Sequence, residues 1–466
     1  MNNKICELIE KNFENQIKDT IDIINIKSYR RNDDVTPECP FGKGAAECLN
    51  VFLQKAKDMG FTTKNIDNMV GWAEIGYGKK LYGILVHLDT VPEGNLSKWI
   101  SEPFNGKIID ENLYGRGSQD DKGPAVSALY ALKALKDSGV KLNARFRIIA
   151  GLDEETGMAC AERYCKTEEI PMFSFSPDAS FPLINSEKGI IQFSMKRTFF
   201  QSAPGQIKLL GLKGGTRFNI VPDSAYAYFS GNTAKAEIML EEINDPRISV
   251  SYKDDFLEVK ASGLSAHAMQ PSKGKNAILA LLQVLSKMDF IPNELLRWIR
   301  HASSFLKNET DGSSLGIACS DEISGALTLN TAMINSDSKD LIIRMDIRYP
   351  VTADPKDIED KVHSIAKKLG MLIKINEHKK PIYISADTVE TKTLLAAYEN
   401  ITKQEGKTLS IGGTTYCKAF PNAVTFGALM PESPELAHEE NEHISLANLK
   451  TATKIYGEAL FRLNNI

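Results

Sequence analysis

Leu81-Tyr82-Gly83-Ile84-Leu85-Val86 is an apolar run that ends on His87-Leu88-Asp89, and this pairing of a core pattern with a polar exit decides the fold. A short apolar run bounded by polar residues reads as a strand covered on both faces. Phe146-Arg147-Ile148-Ile149-Ala150-Gly151 repeats the pattern and exits into Asp153-Glu154-Glu155. Around these two runs, residues 2–25, 43–59 and 123–139 read as helices. The second carries Ala46, Leu49, Phe52 and Ala56 at steps of three and four. Helix and strand alternating over the first 180 residues predict a layered α/β domain. Open sheets of that class bind ligands at the C-terminal ends of their strands.

From Glu187 the texture changes. Strand patterns cover 190–197, 249–252 and 256–261, and helical patterns cover 274–288 and 355–369, the latter with Ile358, Val362, Ile365, Ala366 and Leu369 on one face. After about residue 384 the first texture returns, with Ala423-Val424-Thr425-Phe426 as a buried strand and 445–463 as a closing helix. The predicted architecture is an α/β domain with a central mixed sheet, formed by residues 1–186 and 385–466. Residues 187–384 form an inserted α+β domain.

The chain has 466 residues, enough for several cores, with 42% hydrophobic and 25% charged residues, which fits a globular class. A net charge of −4 offers no basic field for nucleic acid. No apolar run approaches a membrane span, and Glu7, Glu10 and Glu14 stand where a signal peptide would be apolar. A cytoplasmic protein is expected. The seven cysteines contain no CxxC pair, which fits reduced thiols and excludes a cysteine-rich zinc site.

The chemistry sits at the strand exits. His87 and Asp89 share a face of an extended segment, so the carboxylate can hold one ring nitrogen while the other binds a metal; a loop-capping His is the alternative. Asp120 and Asp121, adjacent and crowded by glycines, repel unless a cation or a helix N-terminus offsets them. That loop presents anions where a phosphate cradle would present amides. In Asp153-Glu154-Glu155, one carboxylate can serve a metal while its neighbour acts as general base. Asp178 and His438 add an acid and a second imidazole. Singly, each fits ordinary loop chemistry. Together they form the oxygen and nitrogen ligand set of two zinc or manganese ions sharing a carboxylate. No G-x-S-x-G elbow or dinucleotide fingerprint competes. Metal-assisted hydrolysis is the expected class. His301, His363 and His378 read as surface residues, and His443 lies at no metal spacing from His438.

His87-x-Asp89-x-Val91-Pro92, Gly115-Arg116-Gly117, Asp120-Asp121-Lys122-Gly123-Pro124, Asp153-Glu154-Glu155-Thr156-Gly157, Pro177-Asp178 and Glu187-Lys188-Gly189 follow one another in order. This set resembles the co-catalytic zinc peptidase superfamily of aminoacylases, desuccinylases, carboxypeptidases and dipeptidases, most of all its PepV-type dipeptidases. The resemblance implies a zinc-peptidase catalytic domain with an inserted lid, a monomer, and two zinc ions, with manganese or cobalt as substitutes. His87 and Asp178 would bind one ion, Glu155 and His438 the other, and Asp120 would bridge. Glu154 would be the general base on a metal-bridging water, with Asp89 orienting His87. His267, within Ser265-Ala266-His267-Ala268-Met269-Gln270-Pro271, would stabilise the oxyanion. Asn219, Arg348, Gly413 and Thr414 would bind substrate, and Arg348 would pair with the C-terminal carboxylate of a dipeptide. Thr414 and Lys418 stand where the PepV-type pattern more often has glycine and arginine. A free substrate ammonium would need an acidic partner, for which Asp121 or a lid carbonyl is available. N-acyl amino acid deacylation, desuccinylation or release of a C-terminal residue is the rival reading, and a non-catalytic metal- or peptide-binding protein is a further one.

Overall fold

The computed structural model describes residues 3–199, 207–253, 256–288, 294–337 and 339–466. It divides into two compact units: Met1–Ser186 with Tyr383–Leu409 and Thr414–Ile466, and Glu187–Ile382 with Ser410–Gly413.

The first unit is built on a mixed sheet. Seven of its nine strands run in the spatial order Thr62–Ile66, Val70–Gly76, Arg145–Gly151, Leu81–His87, Phe173–Ser176, Ala423–Thr425 and Leu183–Glu187. The pairings from Arg145–Gly151 through Leu81–His87 and Phe173–Ser176 to Ala423–Thr425 are parallel, and those flanking them are antiparallel. Every residue of Leu81–His87 is buried, as a central parallel strand covered on both faces requires. At Gly83 a Cβ would lie 2.4 Å from the Ser174 hydroxyl and 2.8 Å from the Pro171 ring, so only glycine fits there.

Helices Asn3–Ile24, Lys122–Asp137 and Leu446–Leu463 pack together. Helix Lys122–Asp137 is buried on nearly every side, which its run of Ala, Val and Leu allows. Buried Gln16 binds the Ser127 hydroxyl at 3.0 Å and the Thr453 hydroxyl at 2.9 Å, so the three helices share one satisfied polar contact inside their packing. The predicted elements appear within a few residues: 2–25 as Asn3–Ile24, with residue 2 outside the described residues, 43–59 as Lys43–Asp58, and 445–463 as Leu446–Leu463.

The second unit is an eight-stranded sheet in the order Ile248–Lys253, Phe256–Ser262, Ser224–Gly231, Ile207–Gly214, Thr328–Ser336, Asp340–Tyr349, Gly189–Thr198 and Leu372–Lys379, with antiparallel pairing throughout. Its strands alternate buried and accessible positions, and helices Ala277–Leu285, Glu294–Ala302 and Pro355–Lys368 close one core with them. Segment 410–413, which the sequence groups with the first unit, belongs here. The Lys188 amide donates to the Ile411 carbonyl at 3.0 Å, and Arg348 Nη1 donates to the Gly412 carbonyl at 3.1 Å. His301, His363 and His378 are all exposed, as expected, and His378 also has side-chain partners. Its Nε2 lies 2.9 Å from the Tyr349 hydroxyl and its Nδ1 lies 3.2 Å from Glu359.

Gly189 faces Tyr349 across the Gly189–Thr198 and Asp340–Tyr349 pair, and a Cβ there would come within 2.0 Å of the Tyr349 ring. The ring is fully buried and its hydroxyl is engaged by His378, so it has nowhere to yield. Gly189→Ala is expected to destabilise the protein by about 1–3 kcal/mol, the usual range for overpacking. Urea unfolding checks this: an unchanged midpoint would mean that the ring moves freely.

Candidate metal centre

The parallel strands place their ends side by side. His87 is the last residue of its strand and lies in register with Gly151, so the turn after Gly151 and the turn after Ser176 leave the same sheet edge next to it. Those turns carry Glu154, Glu155 and Asp178. One set of possible ligand atoms comes from His87, Glu154 and Asp178 and another from Asp120, Glu155 and His438, each set lying within 4.8 Å. The eight residues that the resemblance assigns to catalysis and metal binding therefore separate by unit. All but His267 lie in the first.

Asp120 joins the two sets. Its Oδ1 is 2.9 Å from His87 Nε2, and its Oδ2 is 3.1 Å from His438 Nε2. Glu155 Oε1 approaches His438 Nε2 at 3.0 Å, and Asp178 Oδ1 approaches His87 Nε2 at 3.6 Å. His87 Nδ1 lies 3.0 Å from the Asp89 carbonyl oxygen. A carbonyl only accepts, so Nδ1 carries a proton and Nε2 is the ring nitrogen left for a metal. That Nε2 is buried and makes no hydrogen bond, with Asp120 Oδ1 2.9 Å away. A buried imidazole nitrogen facing carboxylate oxygens is the donor arrangement a divalent cation takes up.

Asp89 differs from expectation in one respect. Its carbonyl, and not its carboxylate, is the nearer group to the His87 ring, the carboxylate being 3.5 Å away. The carboxylate instead accepts the backbone N–H of Glu154 at 3.3 Å and of Glu155 at 3.1 Å. A single residue thus keeps a proton on His87 Nδ1 and fixes the turn that presents both glutamates. Asp121 is fully buried, and its Oδ2 accepts the His87 amide at 3.1 Å. It supports the site from beneath and is not placed to receive a substrate ammonium.

The electrostatics of the cluster ask for positive charge. Burial pushes Glu154 and Asp178 above the usual carboxylate range and Glu155 up to about 7. For Asp120, burial is outweighed by His438 and His87, which hold it below that range. Burial likewise disfavours charged imidazoles, yet the facing carboxylates, Asp120 first, raise His87 well above its ordinary value and His438 to about 11. Protons are standing in for cations, and divalent ions would neutralise the same carboxylates more effectively. The residues therefore fit a metal centre.

In the second unit, the His267 and Asn219 segments are neighbours through an isolated bridge between Ile220 and His267 and an Ala268 N–H to Asn219 carbonyl bond of 2.9 Å. His267 Nδ1 accepts the Met269 amide at 3.1 Å. Arg348, expected to meet a substrate carboxylate, is buried and gripped by Asp346 through Nε at 2.6 Å and Nη2 at 3.0 Å, with Nη1 on the Gly412 carbonyl. Gly412 packs against Met269, where a Cβ would lie 2.8 Å from that of the methionine. In the first unit, Lys418 Nζ donates to the Thr414 hydroxyl at 3.4 Å, so the two departures from the PepV-type pattern touch each other.

Glu442 is the participant that sequence reasoning missed. It is fully buried and receives the Arg116 guanidinium at 2.7 Å. It stands in the acidic stretch Glu439-Glu440-Asn441-Glu442, and nothing in that stretch separates the one internal carboxylate from its solvated neighbours.

The chain matches Peptidase family M20/M25/M40 over residues 83–462. It is 37% identical to "Putative dipeptidase YtjP" of Bacillus subtilis (strain 168), covering 98% of each chain, and 32% identical to "Putative dipeptidase SAUSA300_1697" of Staphylococcus aureus (strain USA300), covering 97% of each. Among solved structures it is similar in fold to human carnosine dipeptidase 1, with a TM-score of 0.59 at 14% identity over 100% of this chain and 99% of that one. It is also similar to an M20 family metallo-carboxypeptidase from Sulfolobus solfataricus, with a TM-score of 0.59 at 17% identity over 97% and 99%. The fold and the acidic, imidazole-bearing sheet edge are those of a metal-dependent peptide-bond hydrolase. The chain belongs to the M20/M25/M40 peptidase family.

A ligand that binds only the native state at a thousand times its dissociation constant stabilises it by about 4 kcal/mol. Adding Zn2+ or Mn2+ to chelator-stripped protein is expected to raise its melting temperature by several degrees. His87→Ala should lose much of that rise, and a melting temperature indifferent to metal would remove the centre.

Proposed function

We propose that the chain is a binuclear dipeptidase that hydrolyses the peptide bond of dipeptides with a free N-terminus. The observation that carries the binuclear part is the Asp120 carboxylate, with one oxygen on each of two imidazoles. His87 and Asp178 would hold one ion, Glu155 and His438 the other, and Asp120 would serve both. The relatives named as dipeptidases over nearly the full length support the substrate class. Two divalent ions, zinc foremost and manganese or cobalt as substitutes, would supply Lewis acidity and make water nucleophilic near neutral pH.

The chain's own residues do the rest. Glu154, held by the Asp89 carboxylate through its backbone N–H, takes the proton of the attacking water on a carboxylate oxygen and delivers it to the leaving amine nitrogen. With Nδ1 of His267 accepting the Met269 amide, the neutral ring carries its proton on Nε2, and that N–H is the donor for the developing oxyanion. Asn219, Gly413 and Thr414 contact the substrate. Arg348 acts by pinning Gly412, and through it the glycine loop. In this reading the inserted second unit is the lid, and the enzyme is a cytoplasmic monomer. None of the seven cysteines is in a disulfide, and no helix among the described residues is long and apolar enough to cross a membrane.

Metal-reconstituted protein is assayed on a dipeptide with a free amine beside its N-acetylated form, with and without chelator. Chelator-sensitive cleavage of the free form alone is expected. Cleavage of the acetylated form would move the assignment to deacylation, and cleavage of neither would leave a binding protein. In the same assay Glu154→Gln should lower kcat by about 10²–10⁴-fold, the usual weight of a general base, while its metal content is retained. His267→Ala should lower kcat with both ions still bound, and unchanged kinetics would take His267 out of the reaction.

A further inference from the structure

We propose that the buried Arg116–Glu442 ion pair is a positioning device for one half of the metal centre, the half formed by Asp120, Glu155 and His438. The inference rests on the binuclear reading above.

The Glu442 carboxylate is fully buried and has gathered the backbone of the loop that carries Asp120. Its Oε1 accepts the N–H of Gly117 at 3.1 Å, of Gln119 at 2.9 Å and of Asp120 itself at 3.2 Å; its Oε2 accepts Gly117 again at 3.1 Å and Arg116 Nη1 at 2.7 Å. A carboxylate that receives several amides fixes their relative orientation, because moving any one of them leaves a buried donor unpaired.

Arg116 carries the restraint to the other loop. Its Nη1 also donates to the Glu439 carbonyl at 3.1 Å and its Nη2 to the His438 carbonyl at 3.4 Å, while its guanidinium lies 5.3 Å over the Trp99 ring. His438 has a φ of 68°, a left-handed conformation uncommon outside glycine. The guanidinium meets the carbonyl of that turn. Gln119 adds a parallel tie, donating to the carbonyls of Pro434 and His443 and accepting the Leu436 amide at 2.9 Å. Asp120 and His438 are 318 positions apart in sequence, yet each lies four residues from one partner of the same ion pair. Arg116 precedes Asp120, and Glu442 follows His438.

The other half is built differently. His87, Glu154 and Asp178 leave the ends of paired parallel strands, and neither member of the pair hydrogen-bonds to them. Removing the pair should therefore weaken the ion that Glu155 and His438 hold more than the ion that His87 and Asp178 hold, since the two share only Asp120. A residue important only for overall stability would affect both alike.

The test is calorimetric titration of chelator-stripped protein with Zn2+. Wild type is expected to take two equivalents. Glu442→Gln keeps the shape but loses the charge, and should weaken one equivalent only slightly, through the shared Asp120. The second should weaken by about 10–100-fold, the usual effect of losing a group that orients ligands. Arg116→Lys keeps the charge but cannot fork to the two carbonyls, and should give the same pattern; it serves as the reading if Glu442→Gln does not fold. In a His438→Ala background, which already lacks the more affected site, either substitution should change metal binding by much less than it does in wild type. Two unweakened equivalents in a folded variant, equal weakening of both, or additive loss in the His438→Ala background would each overturn the inference. A wild-type chain that takes up fewer than two ions would overturn the binuclear reading itself, and this inference with it.

Discussion

Everything in the first unit answers to one electrostatic constraint: carboxylates have been gathered at the end of a buried parallel sheet, where they cannot remain charged without compensation. Desolvation alone would drive them to protonate. The Asp120 carboxylate, shared between His87 and His438 at 2.9 and 3.1 Å, is the point where the constraint is met. It is also the reason two loops distant in sequence must converge. The rest of the unit can be understood as machinery for holding that carboxylate still. The covered strand Leu81–His87 brings one imidazole, the Asp89 carboxylate fixes the glutamate turn, and Glu442 grips the amides around Asp120.

Much of this was legible beforehand, and particular residues explain why. The run Leu81 to Val86 could be read as a central strand because being covered on both faces demands an unbroken apolar pattern, and the acids after Gly151 stood out because charge directly beyond such a strand needs a purpose. The inserted unit was legible from a change of period, since one-sided antiparallel strands alternate where doubly covered ones do not. Chemistry that depends on side chains meeting was less visible. Asp89 can be put beside His87 from the two-residue step, but the division of labour between its carbonyl and its carboxylate depends on distances of a few tenths of an ångström. Glu442 was invisible because an acidic tetrad gives no sign of which member faces inward. Arg348 looked like a free cation at a strand end, and only packing reveals the Asp346 carboxylate two residues before it, bonded at 2.6 Å. Segment 410–413 changed sides for a similar reason: backbone hydrogen bonds to Lys188 and Arg348 decide its allegiance, and these leave no trace in residue type.

The two units also differ in how they obtain specificity. In the first, buried polar groups are numerous, and some satisfy one another, as in the Gln16, Ser127 and Thr453 contact among three helices. Such networks admit few alternative packings. The second relies on a single apolar core under a one-sided sheet, with polar links such as Glu359, His378 and Tyr349 set around it. A metal centre requires the first kind of order, because ligand atoms tolerate little displacement.

The place of strand Ala423–Thr425 has a consequence for how the protein comes into being. It lies between Phe173–Ser176 and Leu183–Glu187, so a slot in the sheet stays open while the whole intervening unit is synthesised. At roughly 5–20 residues per second, the 351 positions from His87 to His438 take about 20–70 s to emerge from a ribosome. During that time the nascent first unit exposes unpaired strand edges, and its gathered carboxylates have only one of their two imidazoles. The second unit, contiguous but for four residues, can complete its own sheet in the meantime. The insertion can therefore complete its own sheet before its host, whose central slot is filled only when Ala423–Thr425 has been made.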